Sequence, residues 1–463
     1  MFDVVGVRLV GRGGVLRGRV IHFASSLNEI IDSTRPFVDT HLSGDHMTIN
    51  EAKGSADSPT VRSLNCRAQP LPYPFGEPSA LDFDMRYSDL QEREPVCWVQ
   101  LPYGEPGWLL TRYEDVRAVL NDARFSLSAA IGRNEPRMHS HTLGDERGIL
   151  GMDPPEQTRL RRLVAQAFTP HRVKALRPRI QEIAHDLIDQ MTLSGPPADL
   201  TEQFSRPLAI TVICELLGVP YEDRRNIAQW ALAFFTTSAF SEQETADRVV
   251  KLADYVMRII AERRSRPAED LLTGLVQARD DHGFLTEMEL LHLSMAILVG
   301  GFETTATELS DFLYFLLTHA DHKSQLLRSP ELIPRAVDEL LRHIPLGVAP
   351  IFARYATEDV VIRGQQLKAG EPVILPFLVA NRDPSVFDNP HEVDFTRDLD
   401  SHLTFGYGPH HCLGAHLARA ELEIGLATIL GRLPQLRLDP GVDAVQWNAG
   451  LVTHGPSLLP VAW

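Results

Sequence analysis

One cysteine sits where a glycine-rich turn becomes a long apolar helix, in the stretch HLTFGYGPHHCLGAHLAR, His402 to Arg419. Gly406 and Gly408 let the backbone turn tightly and approach another group closely, and Pro409 stiffens the loop. The run LGAHLARAELEIGLATIL that follows reads as helix, so Cys412 lies at a helix N-terminus. Free N–H groups and the positive end of the dipole favour a thiolate there. A lone cysteine is most often a small buried hydrophobe, but these neighbours suit an activated sulfur. Zinc is a rival, since Cys412 and His416 are four apart on one helix face with His410 and His411 close by. Structural zinc usually draws ligand pairs from two segments, and no second Cys/His cluster stands out. A cysteine nucleophile stays open, because the sequence assigns it no base.

The rest of the chain narrows the setting. With 463 residues, 44% of them hydrophobic, it can bury a large core. A net charge of −16 argues against nucleic-acid binding, which needs a basic face. Cys66, Cys97, Cys214 and Cys412 are far apart and form no CxxC, so a reducing cytoplasm is expected. No apolar run of about 18 residues is present, so no membrane insertion is expected. The opening MFDVVGVRLVGRGGVLRGRVIHF carries Arg8, Arg12, Arg17 and Arg19 through what would be a signal-peptide core. Met47 is a plausible true start, and residues 1–70 read as a weakly ordered N-terminal extension.

From about residue 71 to 463 the patterns describe one domain. PVCWVQLPYGEPGWLLTRY predicts two strands, Pro95–Pro102 and Gly107–Arg112, about a Gly-Pro turn. Residues 125–150 are a long patternless loop, which in a compact domain is usually functional. Helical patterns cover about 156–168, 173–193, 201–217, 222–238, 242–264, 268–279, 286–319 and 331–343. DVVIRGQQLKAGEPVILP predicts strand, turn and strand, and a last helix spans about 413–431. The fold class is mainly α, a large helical domain with a small β-rich region contributed from both ends. It is longer than a single core usually grows, which a large group in its middle would explain.

The stretch FGYGPHHCLG resembles the haem-binding loop of the cytochrome P450 family, F-x-x-G-x-[H/R]-x-C-x-G, with Phe405, Gly408, His410, Cys412 and Gly414 in place. The resemblance implies the family fold, with haem between the central long helix and the Cys-loop helix. It makes Cys412 the axial ligand of the haem iron; thiolate ligation is what distinguishes these enzymes among haem proteins. It also implies that His410 hydrogen-bonds a propionate, that Phe405 packs beside the sulfur and that Gly406 belongs to the cofactor loop.

Three further stretches agree, in family order. SMAILVGGFETTATELSDFLYFLLTHA opens with a capping box, Thr286 and Glu289, and places Gly300 and Gly301 mid-helix, where glycine costs about 1 kcal/mol each against Ala. It is similar to the family's [A/G]-G-x-[D/E]-T. Thr304 then matches the threonine that hydrogen-bonds dioxygen, and Glu303 the acid that relays protons; Phe302 stands where bacterial members often have His. DELLRHIP matches E-x-x-R through Glu339 and Arg342, with Arg397 as third partner in a structural triad. In MDPPEQTRLRRLVAQAFTP, Arg161 matches a propionate arginine and Gln157 stands where many members have His, while Arg354 matches a second propionate arginine. Arginine binds carboxylates bidentately.

The resemblance implies a haem-thiolate monooxygenase that inserts one oxygen atom of O2 into a lipophilic small molecule by hydroxylation or epoxidation. Its cofactor is haem b (iron protoporphyrin IX), with O2 as co-substrate and NAD(P)H acting indirectly. No flavin or ferredoxin segment follows residue 463, so a separate ferredoxin and ferredoxin reductase are expected, acting on a cytoplasmic monomer. RLRR through HRVKALRPR is a local basic stretch that either docks an acidic ferredoxin or is a solvated helix face. Ala296, Val299, Gly300, Pro350, Ile351, Leu451 and Val452 are the candidate substrate-lining residues, mostly apolar. Tailoring of a secondary metabolite is the preferred role. A catabolic terpene hydroxylase, a peroxide-driven or isomerising haem-thiolate enzyme, and a haem sensor without turnover are the alternatives; the Glu303–Thr304 pair speaks against the last three of these chemistries.

Overall fold

The structure, a computed structural model, describes residues 69–76, 79–140, 145–281, 283–347, 352–398, 402–441 and 445–463, all within one unit, Asn65–Trp463. Met47, nearly all of the expected extension, Pro350 and Ile351 lie outside the described residues.

The predicted helices form. Pro170–Ser194 carries its proline in the first turn and is capped by Thr169, whose hydroxyl accepts from the Arg172 N–H. Ser241 and Glu244 make a capping box for Glu242–Ser265. Three α-helices among the described residues escaped the sequence patterns, Arg86–Arg93, Ala320–Arg328 and the four-residue Phe377–Ala380. RYSDLQER buries only Tyr87, Leu90 and Gln91, too short an apolar stripe to show a period. The segment predicted as one helix over 201–217 begins as a π-turn, Thr201–Ser205, before Arg206–Leu217.

The pattern over 286–319 is not one unbroken helix. Glu287–Gly300 and Glu303–Thr318 are separated at Gly301–Phe302, and the Thr304 hydroxyl donates to the Gly300 carbonyl at 2.8 Å. A Cβ on Gly301 would sit 2.6 Å from Ile213 Cδ1, so glycine is what lets the helix Arg206–Leu217 press against the break. The two halves together run 32 residues and are, among the described residues, the one stretch long and apolar enough to cross a membrane by length and composition; 67% of its apolar window is buried inside the protein. It is therefore read as the central core helix.

Strands from both sides of the helical region build a six-stranded sheet in the order Leu71–Pro72, Val96–Gln100, Gly107–Leu110, Pro372–Ile374, Arg354–Ala356, Phe125–Ser126. The predicted pair, Val96–Gln100 and Gly107–Leu110, is antiparallel. The stretch predicted as strand, turn and strand instead makes three strands. Val360–Ile362 and Gln365–Leu367 form a hairpin, and Pro372–Ile374 leaves it for the main sheet.

The Cys-loop helix, Ala415–Arg432, packs on Pro170–Ser194, Glu303–Thr318 and Ile333–His343. The last of these carries the buried ion pair. Arg342 donates to Glu339 Oε2 from Nε (2.8 Å) and to Oε1 from an Nη (2.7 Å), both side chains being fully buried. Its remaining N–H groups reach the carbonyls of Asn381 (3.0 Å), Pro390 (2.8 Å) and Glu392 (3.0 Å), which uses the whole guanidinium fork. Arg397 Nε and the Asp394 N–H also donate to Glu339 Oε1, at 3.2 and 2.9 Å.

The Glu339 and Arg342 substitutions follow directly. Removing Glu339 leaves the buried Arg342 guanidinium without a counterion, and removing Arg342 leaves buried Glu339 with Arg397 alone, a cost of up to about 3–5 kcal/mol. Glu339→Ala and Arg342→Ala are each expected to fail to yield stable holoprotein, measured as haem content per chain after purification. Normal haem content in both would show that the pair does not carry the fold.

Candidate active site

The Cys412 loop is set by local hydrogen bonds. The Gly406 N–H donates to the Leu403 carbonyl (2.7 Å), the His411 N–H to Gly408 (3.0 Å), and the Cys412 N–H back to Phe405 (2.8 Å). Gly406 and Gly408 have φ of +69° and +71°, a region other residues enter only with strain. A Cβ on Gly408 would also lie 2.9 Å from the Leu120 carbonyl and Asn121 Oδ1. The loop is anchored from outside by Asn381, which accepts from the Leu403 N–H (2.6 Å) and donates to the Thr404 hydroxyl (2.9 Å), while that hydroxyl donates to the Leu341 carbonyl (2.6 Å). Sequence reasoning missed this anchor.

Cys412 has open surface, yet burial pushes its thiol upward, opposed by the Gly414 N–H and the Arg161 and Arg419 charges. Open surface and desolvation together describe a recess walled by protein. The sulfur is thus accessible but poorly solvated, with helix amides and two cations to favour the thiolate.

The central helix supplies a matching open face. Ala296, Gly300 and Thr304 fall at successive four-residue intervals and have open surface, whereas Leu298, Val299, Phe302 and Glu303 are buried. A Cβ on Gly300 would meet nothing within 4 Å. Val299, expected beside the substrate, lies on the buried side.

Haem fits the residues present. Arg354 is 7% exposed, donates to the Phe125 carbonyl (3.2 Å) and has its pKa lowered by burial. Burial also lowers that of half-buried Arg161. Among the described residues neither forms an ion pair within 4 Å. Burial, with Arg354 next, brings His410 down to about 4, and its buried Nε2 has no hydrogen-bond partner. Two desolvated arginines and a histidine with a free Nε2 are a donor set for two carboxylates, as the propionates of a haem held by Cys412 would require. Asp153, the nearby acid, is occupied by the Ser126 and Ser128 hydroxyls and the Leu127 N–H. Gln157 is 1% exposed and donates to the Pro409 carbonyl at 2.7 Å, so its amide N–H holds the Cys loop. Phe405 is covered by the Arg419 guanidinium at 4.6 Å.

Glu303 is 1% exposed, and desolvation pushes its carboxyl up to about 7; the Arg206 charge and the Thr307 hydroxyl hold it back, and Glu202 adds to the rise. Thr307 donates to Glu303 Oε1 at 3.3 Å. Thr453 lies near enough to favour the carboxylate without making a hydrogen bond of ordinary geometry, so Glu303 Oε2 has no partner. Arg206 and Thr453 were not legible beside Glu303, because they come from other parts of the chain.

Leu451 and Val452 are partly open and sit in a turn fixed to the 235–239 segment: Thr236 bridges Leu451, the Val452 N–H donates to Phe235 (2.7 Å), and the Gly450 carbonyl accepts from Thr237, Ser238 and Ala239.

Comparison with known proteins gives one family, described as Cytochrome P450, matched by residues 81–454. The chain is 48% identical to a mycinamicin IV hydroxylase/epoxidase of Micromonospora griseorubida, covering 86% of this chain and 99% of the relative. It is 44% identical to a nocardicin C N-oxygenase of Nocardia uniformis subsp. tsuyamanensis, covering 84% and 98%. A solved structure of HinD with NMFT and NO superposes with a TM-score of 0.82 at 47% identity, covering 85% of this chain and 99% of that one.

A carboxyl that titrates near 7 donates protons below that pH and is a carboxylate above it. In holoprotein supplied with a plant-type [2Fe–2S] ferredoxin, its reductase and NADPH, O2 consumption is expected to fall as pH rises through about 7. Glu303→Gln is expected to slow consumption about 10²-fold or more and to abolish that inflection. An inflection retained in Glu303→Gln would assign it to another group.

Proposed function

This chain belongs to the cytochrome P450 family and is a haem-thiolate monooxygenase, and from that premise we propose that it tailors a lipophilic secondary metabolite, with Cys412, Glu303 and Thr304 at its working centre. Bound haem supplies the activation of O2 and the insertion of one oxygen atom into the substrate. The observation that carries the reading is the pairing of an accessible, desolvated Cys412 with a central helix open along Ala296, Gly300 and Thr304 and buried elsewhere.

The chain's own residues divide the remaining work. Arg161, Arg354 and His410 hold the two carboxylates of the cofactor, and Gln157 holds the loop that presents Cys412. Thr304 has its hydroxyl proton on the Gly300 carbonyl, so its lone pairs are free to accept from an oxygen that is being protonated. Glu303 stores the proton one residue away. The buried apolar surroundings exclude water and leave proton delivery to these two groups.

The apolar lining argues for a lipophilic substrate. The mycinamicin and nocardicin relatives support a tailoring reaction on a macrolide-like or peptide-derived compound, by hydroxylation, epoxidation or heteroatom oxygenation. P450 monooxygenases need redox partners; for this chain we assign a separate ferredoxin and reductase in the cytoplasm. Arg172 and Lys174 are exposed at the start of the helix Pro170–Ser194, which Arg177–Glu423 ties to the Cys-loop helix at 2.8 Å, and Arg162 is exposed at the end of the preceding helix, Glu156–Ala165. That local basic surface on an acidic chain suits an acidic ferredoxin. The catalytic domain, on this reading, is a monomer beginning near residue 71.

Thr304→Ala tests the oxygenase reading. Haem content is expected to be unchanged, since Thr304 binds none of the cofactor's carboxylates. Hydrogen peroxide released per NADPH consumed, with mycinamicin IV or nocardicin C as probe substrates, is expected to rise severalfold while NADPH consumption stays near normal. An unchanged ratio in Thr304→Ala would remove Thr304 from proton control.

A further inference from the structure

Past the opening, the second half of the central helix is polar where a core helix should be apolar. Glu303, Thr307 and Asp311 follow one another at four-residue intervals and are 1%, 5% and 0% exposed. Glu308, 4% exposed, stands beside Asp311, and its charge adds to the burial that raises the Asp311 carboxyl well above the usual range. Both oxygens of Asp311, both of Glu308 and Oε2 of Glu303 are buried with no hydrogen-bond partner. So are the hydroxyls of Thr453 and Ser205, which come from the C-terminal turn and the Thr201–Ser205 π-turn.

These groups form a continuous seam. Thr307 Oγ1 already donates to Glu303 Oε1. A Cβ on Gly455 would lie 2.6 Å from Thr307 Cγ2 and 3.1 Å from Asp311 Oδ1, so Thr307 and Asp311 lie side by side beneath the Gly455 backbone. The π-turn and the strand Pro456–Leu458 close the seam from above. π-Turns inside helices are frequent at functional sites. Unpartnered carboxyls here cost stability unless they are neutral, and the reaction class uses two protons in each turnover while Glu303 holds one.

We propose that Asp311 is a proton reserve for Glu303, a positioning residue that acts through Glu303 by way of the Thr307 hydroxyl. The inference rests on the reading of Glu303 as proton donor. When Glu303 has given its proton away, the Asp311 O–H bond breaks. Thr307 accepts that proton through one bridging water, since Asp311 makes no direct hydrogen bond, while its own hydroxyl proton passes to Glu303 Oε1. The net result is one proton moved, Thr307 unchanged and Asp311 left as carboxylate beside a neutral Glu308. No electron moves. Recharging runs the same way in reverse, after Glu303 refills from solvent past half-buried Arg206 and exposed Glu202. Burial keeps the Asp311 carboxylate short-lived, because a negative charge there is desolvated and unpaired.

Asp311→Asn in the holoprotein is the test, with two readouts. Infrared difference spectra in H2O and D2O are expected to show a buried protonated-carboxyl band that Asp311→Asn removes and Glu303→Gln retains. O2 consumption with ferredoxin, reductase and NADPH is expected to slow roughly threefold or more, with a larger solvent deuterium isotope effect and unchanged haem content; removing the acid itself costs roughly 10²–10⁴. Thr307→Val, which cuts the link and keeps every carboxyl, is expected to repeat the kinetic effect, and it decides the matter if Asp311→Asn does not fold. An unchanged rate and isotope effect in a folded Asp311→Asn or Thr307→Val would overturn the proposal, as would the absence of the Asp311 band. If Glu303→Gln were also without kinetic effect, the donor reading itself would fall; if only Glu303→Gln slowed turnover, the reserve alone would.

Discussion

The buried Glu339–Arg342 pair fixes the loop on which the chemistry rests. A guanidinium taken wholly out of water must satisfy all its N–H groups, and Arg342 does so on Glu339 and on the carbonyls of Asn381, Pro390 and Glu392. That requirement draws the 381–392 segment against the helix Ile333–His343. Asn381, held by its carbonyl, then uses its side chain on Leu403 and Thr404, the entry to the Cys412 loop. One ion pair, a loop turned by two positive-φ glycines and one sulfur are thereby connected by hydrogen bonds. Arg419, on the Cys-loop helix, returns to Asp338 on the same helix at 2.7 Å, closing the frame on its other side.

Across the recess, the central helix divides into an open row and a buried row. The face with Ala296, Gly300 and Thr304 is open, and its small side chains leave room for a cofactor and a substrate. Glu303, Thr307 and Asp311 are sealed from solvent, and burial raises the two carboxyls. The interruption at Gly301–Phe302 stands between them: it frees the Gly300 carbonyl for Thr304 and lets the helix Arg206–Leu217, with Arg206, come close to Glu303. Burial raises the acid, and the nearby arginine keeps it within reach of neutral pH.

The parts legible in sequence are those whose residues are neighbours along the chain. Cys412, Gly406, Gly408 and His410 lie in one loop, and Glu303 and Thr304 are adjacent, so the short motifs that carry the family resemblance keep each group together. The helices showed because their apolar stripes are long; Arg86–Arg93 did not, because it buries only one short patch. The Asn381–Thr404 anchor joins residues 23 apart that belong to no motif. Gln157 was expected at a propionate, but its amide points to the Pro409 carbonyl, an orientation that depends on how two distant segments pack. Val299 reads as apolar and pocket-facing, yet, one residue before Gly300, it falls on the buried side of Glu287–Gly300. Asp311 and Thr453 gain meaning only when the C-terminal turn folds over the central helix.

The central claim is that Cys412 is the thiolate ligand of a haem iron, and one spectrum tests it. The dithionite-reduced holoprotein under carbon monoxide should show the red-shifted Soret band of thiolate ligation. Cys412→His should abolish that band, while Cys97→Ala and Cys214→Ala should each keep it. Retention of the band in Cys412→His, or its absence from the parent protein with haem bound, would contradict the account.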